Sequence, residues 1–275
     1  MKAVFFDLDD TLLWDSKCIK EAFETTCTIA ADKIGIDPET IEKHVRNKAR
    51  TIYAEYDVYP FTKMIGINPF EGLWGTFHDG TLEFPELERI APEYQIRVWT
   101  ESLQELGMND GHLGKTLAGI FKETRQQLAY LYPDTLDVLR HLKEEYRLVL
   151  ITNGAPTLQN QKLTSAHELP PFFEKIVISG DFGKGKPDPA LFEYVLSETG
   201  LNHKEAVMVG DNLNADIKGA NAVGMKSIWI NHHGAAAPGD NQPTYEVKRL
   251  KDVLSILRHL KDTSHRSSMS PEQEY

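Results

Sequence analysis

Two carboxylates two residues apart, Asp7 and Asp9, stand directly after the apolar run Ala3–Phe6, in the segment Asp7-Leu8-Asp9-Asp10-Thr11. In extended chain that spacing points both to one side. Like charges so close repel unless a cation lies between them or one carries a proton. Gly210-Asp211-Asn212 follows another apolar run, with Asp216 a little further on. A divalent ion asks for several hard oxygen ligands, and Mg²⁺ binds through few carboxylates while keeping some water. An aspartate-rich turn is the plain alternative for either segment alone. Together, Asp7, Asp9 and Asp211 read as a Mg²⁺ site. Zinc finds no His or Cys cluster here. His232-His233 has no evident third ligand and reads as a solvated loop.

Lys186 lies between a glycine and a proline, in Gly185-Lys186-Pro187-Asp188-Pro189. Its backbone is therefore held in one place, and at a sheet rim it would meet both a carboxylate and a phosphate. Most lysines are simply solvated. Thr152-Asn153-Gly154 ends a third apolar run; the Thr152 hydroxyl and the N–H groups after it suit phosphate oxygens. A threonine that only ends a strand or caps a helix is the plainer reading. Gly180 to Lys186 matches GxxxxGK, but a phosphate loop of that type continues with Ser or Thr, and here Pro187 follows. Asp181 within that loop would face the phosphate.

These residues need a scaffold that brings them together. Five short apolar runs, Ala3–Phe6, Leu148–Ile151, Lys175–Ile178, Ala206–Val209 and Ser227–Ile230, show no clean alternation. That is the pattern of strands buried on both faces, as in a parallel sheet. Helical segments separate the later runs: Pro156–His167, a helix capped by Asp188-Pro189 and closed by Gly200, and Leu213–Ala222. The expectation is an α/β fold, a doubly wound, Rossmann-like parallel sheet of five strands, with ligands beyond the carboxyl ends of the strands. Between the first and second runs, helical periodicity over Ser16–Ile34, Asp37 to Ile52, Glu93–Leu106 and Leu113–Leu131 predicts an inserted all-helical domain. Phe61–Ile90 within it reads as irregular. The expected organisation is a core of residues 1–13 and 132–261, a helical insertion at 14–131, and a disordered tail at 262–275.

The chain has 275 residues, with 30 Lys and Arg against 41 Asp and Glu, a formal net charge of −11. An acidic chain lacks the footprint of a nucleic-acid binder and is unsuited to an anionic membrane surface. No targeting segment or membrane span is expected, since Asp7, Asp9 and Asp10 interrupt the first apolar run and none approaches membrane-spanning length. Cys18 and Cys27 lie in one predicted helix about 13 Å apart along its axis, beyond the roughly 7 Å a disulfide allows. Free thiols favour a reducing, cytoplasmic setting.

In order and placement, these four segments resemble the haloacid dehalogenase superfamily. Asp7-x-Asp9-x-Thr11 resembles its first motif, Thr152 its second, Lys186 its third, and Asp211 with Asp216 its fourth. The insertion is similar to the helical cap of that family. Thr152-Asn153-Gly154 followed by Gln159 and Lys162 resembles the branch with small-metabolite and acylneuraminate phosphatases. The cap with its Phe84-Pro85-Glu86-Leu87 segment resembles a Bacillus-type phosphoserine phosphatase group. The resemblance implies a Mg²⁺-dependent phosphatase of a small phosphate monoester, with O-phospho-L-serine as the substrate expected first. It implies Asp7 as the nucleophile and Asp9 as the general acid and base. Asp7, Asp211 and the Asp9 backbone carbonyl would hold the metal. Lys186 would steady Asp7 and the phosphoryl charge, and Thr152 and Asn153 would hold phosphate oxygens. Asp216 would orient Lys186 or metal-bound water. Phosphatases of sugars or nucleotides and phosphomutases share this machinery. Trp14, Lys17 and Lys20, which leave the first motif directly, are candidate cap contacts to substrate.

Overall fold

A computed structural model of the chain describes residues 1–237, 239 and 241–268. Its sheet is parallel throughout, built from β1 (Ala3–Phe6), β2 (Arg147–Thr152), β3 (Lys175–Ile178), β4 (Ala206–Gly210), β5 (Lys226–Ile230) and β6 (Tyr245–Val247). The spatial order is β3-β2-β1-β4-β5-β6. The five expected strands are present. The sheet has six rather than five because Tyr-Glu-Val adds an edge strand beside β5, too short to show a pattern of its own. β1 has every residue buried, as a central parallel strand requires.

The helices between β1 and the rest of the sheet are α1 (Asp15–Ile34), α2 (Pro38–Tyr53), α3 (Tyr59–Ile65), α4 (Pro69–Gly72), α5 (Phe84–Glu105) and α6 (Gly111–Gln127). Their ends follow local chemistry. Gly35 closes α1 at φ 70°, and the Asp37 carboxylate caps α2 by accepting from Thr40 N–H at 2.9 Å, with Pro38 following. The Phe61–Ile90 stretch is more ordered than its lack of periodicity suggested: it holds most of α3, all of α4 and the first turns of α5. Two helices this short never complete an amphipathic repeat. Trp74, Phe77 and Phe84 from this stretch pack with Phe23, Tyr94, Trp99 and Phe121 into one apolar core for the six helices.

The remaining helices flank the sheet: α7 (Thr135–Lys143), α8 (Pro156–Ser165), α9 (Ser179–Phe182), α10 (Pro189–Thr199), α11 (Lys218–Ala222) and α12 (Val253–Ser268). One sheet face packs on α7 and α12 through Val138, Leu139, Val253 and Leu257. The other packs on α10 through Leu191, Phe192 and Val195. α8 joins the two bodies, because Ala155 and Leu158 belong to the core of the inserted helices. α12 continues through Ser268, past the expected start of the tail at Asp262; residues 269–275 lie outside the described residues. Cys18 and Cys27 are buried and free. Among the described residues, no helix is long and apolar enough to cross a membrane.

Candidate active site

The carboxyl ends of β1, β2 and β4 meet at one rim, where the strand order reverses. Asp7 follows β1, Thr152 ends β2, and Asp211 follows β4. Lys186 arrives from the loop after α9. A cavity of about 280 Å³ opens over this rim, lined by Asp7, Asp9, Asn153, Lys186, Asp211 and Asp216 from the sheet side. Gly66, Asn68 and Glu71 line it from the inserted helices, and Asp15 from the start of α1.

Lys186 is the charge at the centre. Its ammonium donates to Asp7 Oδ1 at 2.5 Å and to the Ile151 carbonyl at 2.7 Å, and it pairs with Asp216 Oδ1 at 2.7 Å. Burial works against that charge, but Asp216 and Asp7 hold the Lys186 pKa above its ordinary value. Thr11 ties the two acidic segments together: its hydroxyl reaches Asp7 Oδ2 at 3.2 Å and accepts from Asp211 N–H at 3.1 Å.

Asp216 is brought in by an irregular turn. Leu213–Ile217 is π-helical and is capped by Asn212, whose side chain accepts from Asn214 and Ala215 N–H. Such turns are rare and gather at functional sites. Asp216 lies against Gly210, where an added Cβ would collide with its carboxylate. Gly210→Ala is therefore expected to push Asp216 off Lys186, lowering both stability and catalytic turnover. Unchanged turnover in a folded Gly210→Ala protein would rule this out.

Asp7, Asp211 and Asp216 offer carboxylate oxygens that all lie within 4.8 Å of one another. Burial, then Asp7, Asp216 and Asp10, push Asp211 up to about 9, with Lys186 opposing. Burial also raises Asp216 to about 6 against the pull of Lys186. One lysine does not neutralise this group, and a hard divalent cation such as Mg²⁺ fits the all-oxygen donor set. A carboxyl raised in the fold stabilises it fully below its unfolded pKa near 3.9, and this contribution is lost as pH rises through about 9. A bound cation displaces that proton, so affinity for Mg²⁺ is expected to rise about tenfold per pH unit while one proton is released. The increase in Tm caused by Mg²⁺ should grow from mildly acidic to mildly alkaline pH. An increase independent of pH would place the ion away from Asp211.

Asp9 has a separate environment. Burial first, then Asp15, Glu71 and Asp7, raise its pKa to about 7, while Lys162 lowers it. Its Oδ2 accepts from Gln159 Nε2 and Lys162 Nζ, each at 2.9 Å. Lys162 also donates to Glu71 Oε1 at 2.9 Å and lies 3.7 Å from Asp15. Burial alone would raise Asp15, but Lys162 and Arg125 hold it below the usual range. Arg125 is buried too, bonded to Asp15 and to the Leu128 carbonyl, with its guanidinium 4.5 Å from the Trp74 ring.

The structure gathers Asp7, Asp9, Asn153, Lys186, Asp211 and Asp216 around the cavity, whereas Thr152, at the end of β2, is fully buried and does not line it. The Asn153 amide is engaged at both ends with the Lys186 backbone, at 2.9 and 2.8 Å, so its side chain fixes the lysine loop while lining the cavity. The Thr152 hydroxyl accepts from Gln159. Trp14, Lys17 and Lys20 do not line the cavity. Trp14 stacks on Tyr132, Lys17 lies over the Trp14 and Tyr130 rings, and exposed Lys20 pairs with Glu24. Asp15 takes their place. It stands four residues before Ile19 and seven before Ala22, on the buried face of α1, and that spacing was the available signal. His232 stacks on Tyr132 and bonds the Asp10 carbonyl at 2.9 Å. Sequence reasoning missed Asp15, Asn68, Glu71 and Arg125.

A family model described as haloacid dehalogenase-like hydrolase matches residues 1–224. The phosphoserine phosphatase of Thermus thermophilus is 33% identical over 255 residues, covering 92% of this chain and 98% of that protein. The N-acylneuraminate-9-phosphatase of Homo sapiens is 31% identical over 264 residues, covering 94% and 95%. Among solved structures, a 2-haloacid dehalogenase from Pseudomonas syringae superposes with a TM-score of 0.58 at 26% identity, covering 94% of this chain and 99% of that one.

Proposed function

The chain belongs to the haloacid dehalogenase-like hydrolases, and within that family we propose that it is a Mg²⁺-dependent phosphomonoesterase for a small metabolite, with O-phospho-L-serine as its substrate. One observation carries the reaction type: two carboxylates with different environments, Asp7 and Asp9, line the same small cavity. Asp7 is paired with a lysine and lies with two other carboxylates in a group that could hold a metal ion. Asp9 is half-buried with a raised pKa. A carboxylate facing a lysine suits a nucleophile, and one with a raised pKa suits a general acid.

The steps follow from those positions. Asp7 attacks phosphorus and forms an aspartyl-phosphate as the bond to the substrate oxygen breaks. The electron pair of that bond goes to the leaving oxygen, which takes the proton of Asp9. Asp9, now a carboxylate, then takes a proton from a water whose oxygen attacks phosphorus and releases Asp7. Lys186 offsets the charge on Asp7 and on the transferring group. Mg²⁺, held by Asp7, Asp211 and the Asp9 carbonyl, would offset the repulsion between a phosphate dianion and an anionic nucleophile.

Asp9 also argues against dehalogenation, the activity for which the Pseudomonas syringae neighbour is named. A halide leaves without a proton, so that chemistry has no use for a carboxylic acid in the cavity. For the substrate, the Thermus relative supplies the support, since it matches over nearly all of both chains. A cavity of about 280 Å³ suits a small ester.

The test is phosphate release from a panel of phosphoserine, sugar phosphates, acylneuraminate phosphate and nucleotides, with Mg²⁺ or chelator and with Asp7→Asn as blank. Release concentrated on phosphoserine is expected. Release concentrated on another ester would keep the reaction and replace the substrate. Transfer to a second substrate molecule rather than to water would identify a phosphomutase.

A further inference from the structure

Asp9 is held unevenly. Both donors that reach it, Lys162 Nζ and Gln159 Nε2, go to Oδ2. An ammonium and an amide NH₂ only donate, so Oδ2 acts as an acceptor and carries no proton there. Oδ1 is buried and has no hydrogen-bond partner among the described residues. Lys162 stands outside the cavity lining, with its side chain 1% exposed. Its ammonium joins two parts of the fold: Asp9 belongs to the sheet, and Glu71 and Asp15 belong to the inserted helices. Glu71 is itself anchored, because its other oxygen accepts from Asn68 N–H at 3.0 Å and from the Asn68 amide at 3.1 Å. That pair is the capping box of α4.

We propose that Lys162 is a positioning residue through which the docked helical insertion sets the acid. Glu71 holds the lysine, the lysine and Gln159 hold Asp9 Oδ2, and Oδ1 is left as the oxygen that gives its proton to the leaving group. In the second step the same Oδ1 takes a proton from the attacking water. Lys162 touches neither substrate nor the reacting atoms. The inference rests on the phosphatase reading and adds to it a reason why hydrolysis needs the insertion in place.

A leaving-group comparison tests it. An alkyl phosphate leaves as a strong base and needs the proton; p-nitrophenyl phosphate leaves as a weak base and needs it little. Lys162→Met and Glu71→Ala are expected to lower kcat/KM, which reports the step that breaks the ester bond, by on the order of 10²-fold on the alkyl ester and much less on the aryl ester, while kcat, which includes the shared hydrolysis of the aspartyl-phosphate, falls for both. Glu71→Gln keeps the shape and removes the charge, and it carries the same comparison where Lys162→Met fails to fold. Lys162→Arg, which can still donate to both carboxylates, is expected to recover part of the alkyl rate. Equal losses of kcat/KM on both esters, or no loss on either, would overturn the role of Lys162 while leaving the phosphatase reading intact. A wild-type protein that releases phosphate from no ester of the panel would sink that reading and this inference with it.

Discussion

Asp7→Asn is expected to give a folded protein whose turnover falls by on the order of 10⁴-fold or more. The amide has the size of the carboxylate and keeps one oxygen to accept from Lys186, so the site retains its shape. It lacks the lone-pair charge that attacks phosphorus. It also removes one of the three carboxylates grouped for the cation, so Mg²⁺ affinity falls as well. Saturating Mg²⁺ should not restore turnover, and circular dichroism should match that of the parent. Turnover within about tenfold of the parent would show that another group makes the bond to phosphorus.

Lys186→Met carries the second large effect, on stability as well as rate. The substitution leaves Asp7 and Asp216 without the buried cation they share. Removing one partner of a buried pair costs about 3–5 kcal/mol, because the remaining charge stays desolvated. The pH dependence has a definite sign. Asp216 is raised to about 6 even with Lys186 lowering it, so without the lysine it rises further. The variant is therefore expected to lose most stability above this range and to approach the parent as the carboxyls become protonated in acid. Mg²⁺ should return part of the loss. Denaturant melts over pH check this, and a variant as stable as the parent at neutral pH would mean the pair contributes nothing net.

The rim of the sheet was legible because each of its groups follows an apolar run in sequence. A parallel strand buried on both faces announces itself, and the residue after it lies at the rim. Asp7, Thr152 and Asp211 were located in that way, and Lys186 by its place between a glycine and a proline. The helical insertion was less open to this argument, since its groups come from positions with no strand to mark them. Glu71 lies in a four-residue helix with no periodicity; the signal that existed was the capping box Asn68-Pro69-Phe70-Glu71. Arg125 lies four residues after Phe121 and eight after Leu117, on the buried face of α6. A charge at an apolar position was its mark, and its partner Asp15 is distant in sequence. The π-helical turn that presents Asp216 has no sequence signature, and β6 is three residues long.

The most direct measurement is acid quench of the enzyme during turnover of phosphoserine with Mg²⁺, followed by mass analysis of the peptide that contains Asp7. Phosphatase action through Asp7 predicts a peptide heavier by one phosphoryl group, labile to hydroxylamine and absent from Asp7→Asn. Turnover with an unmodified Asp7 peptide, or with the phosphoryl group on another residue, would contradict it.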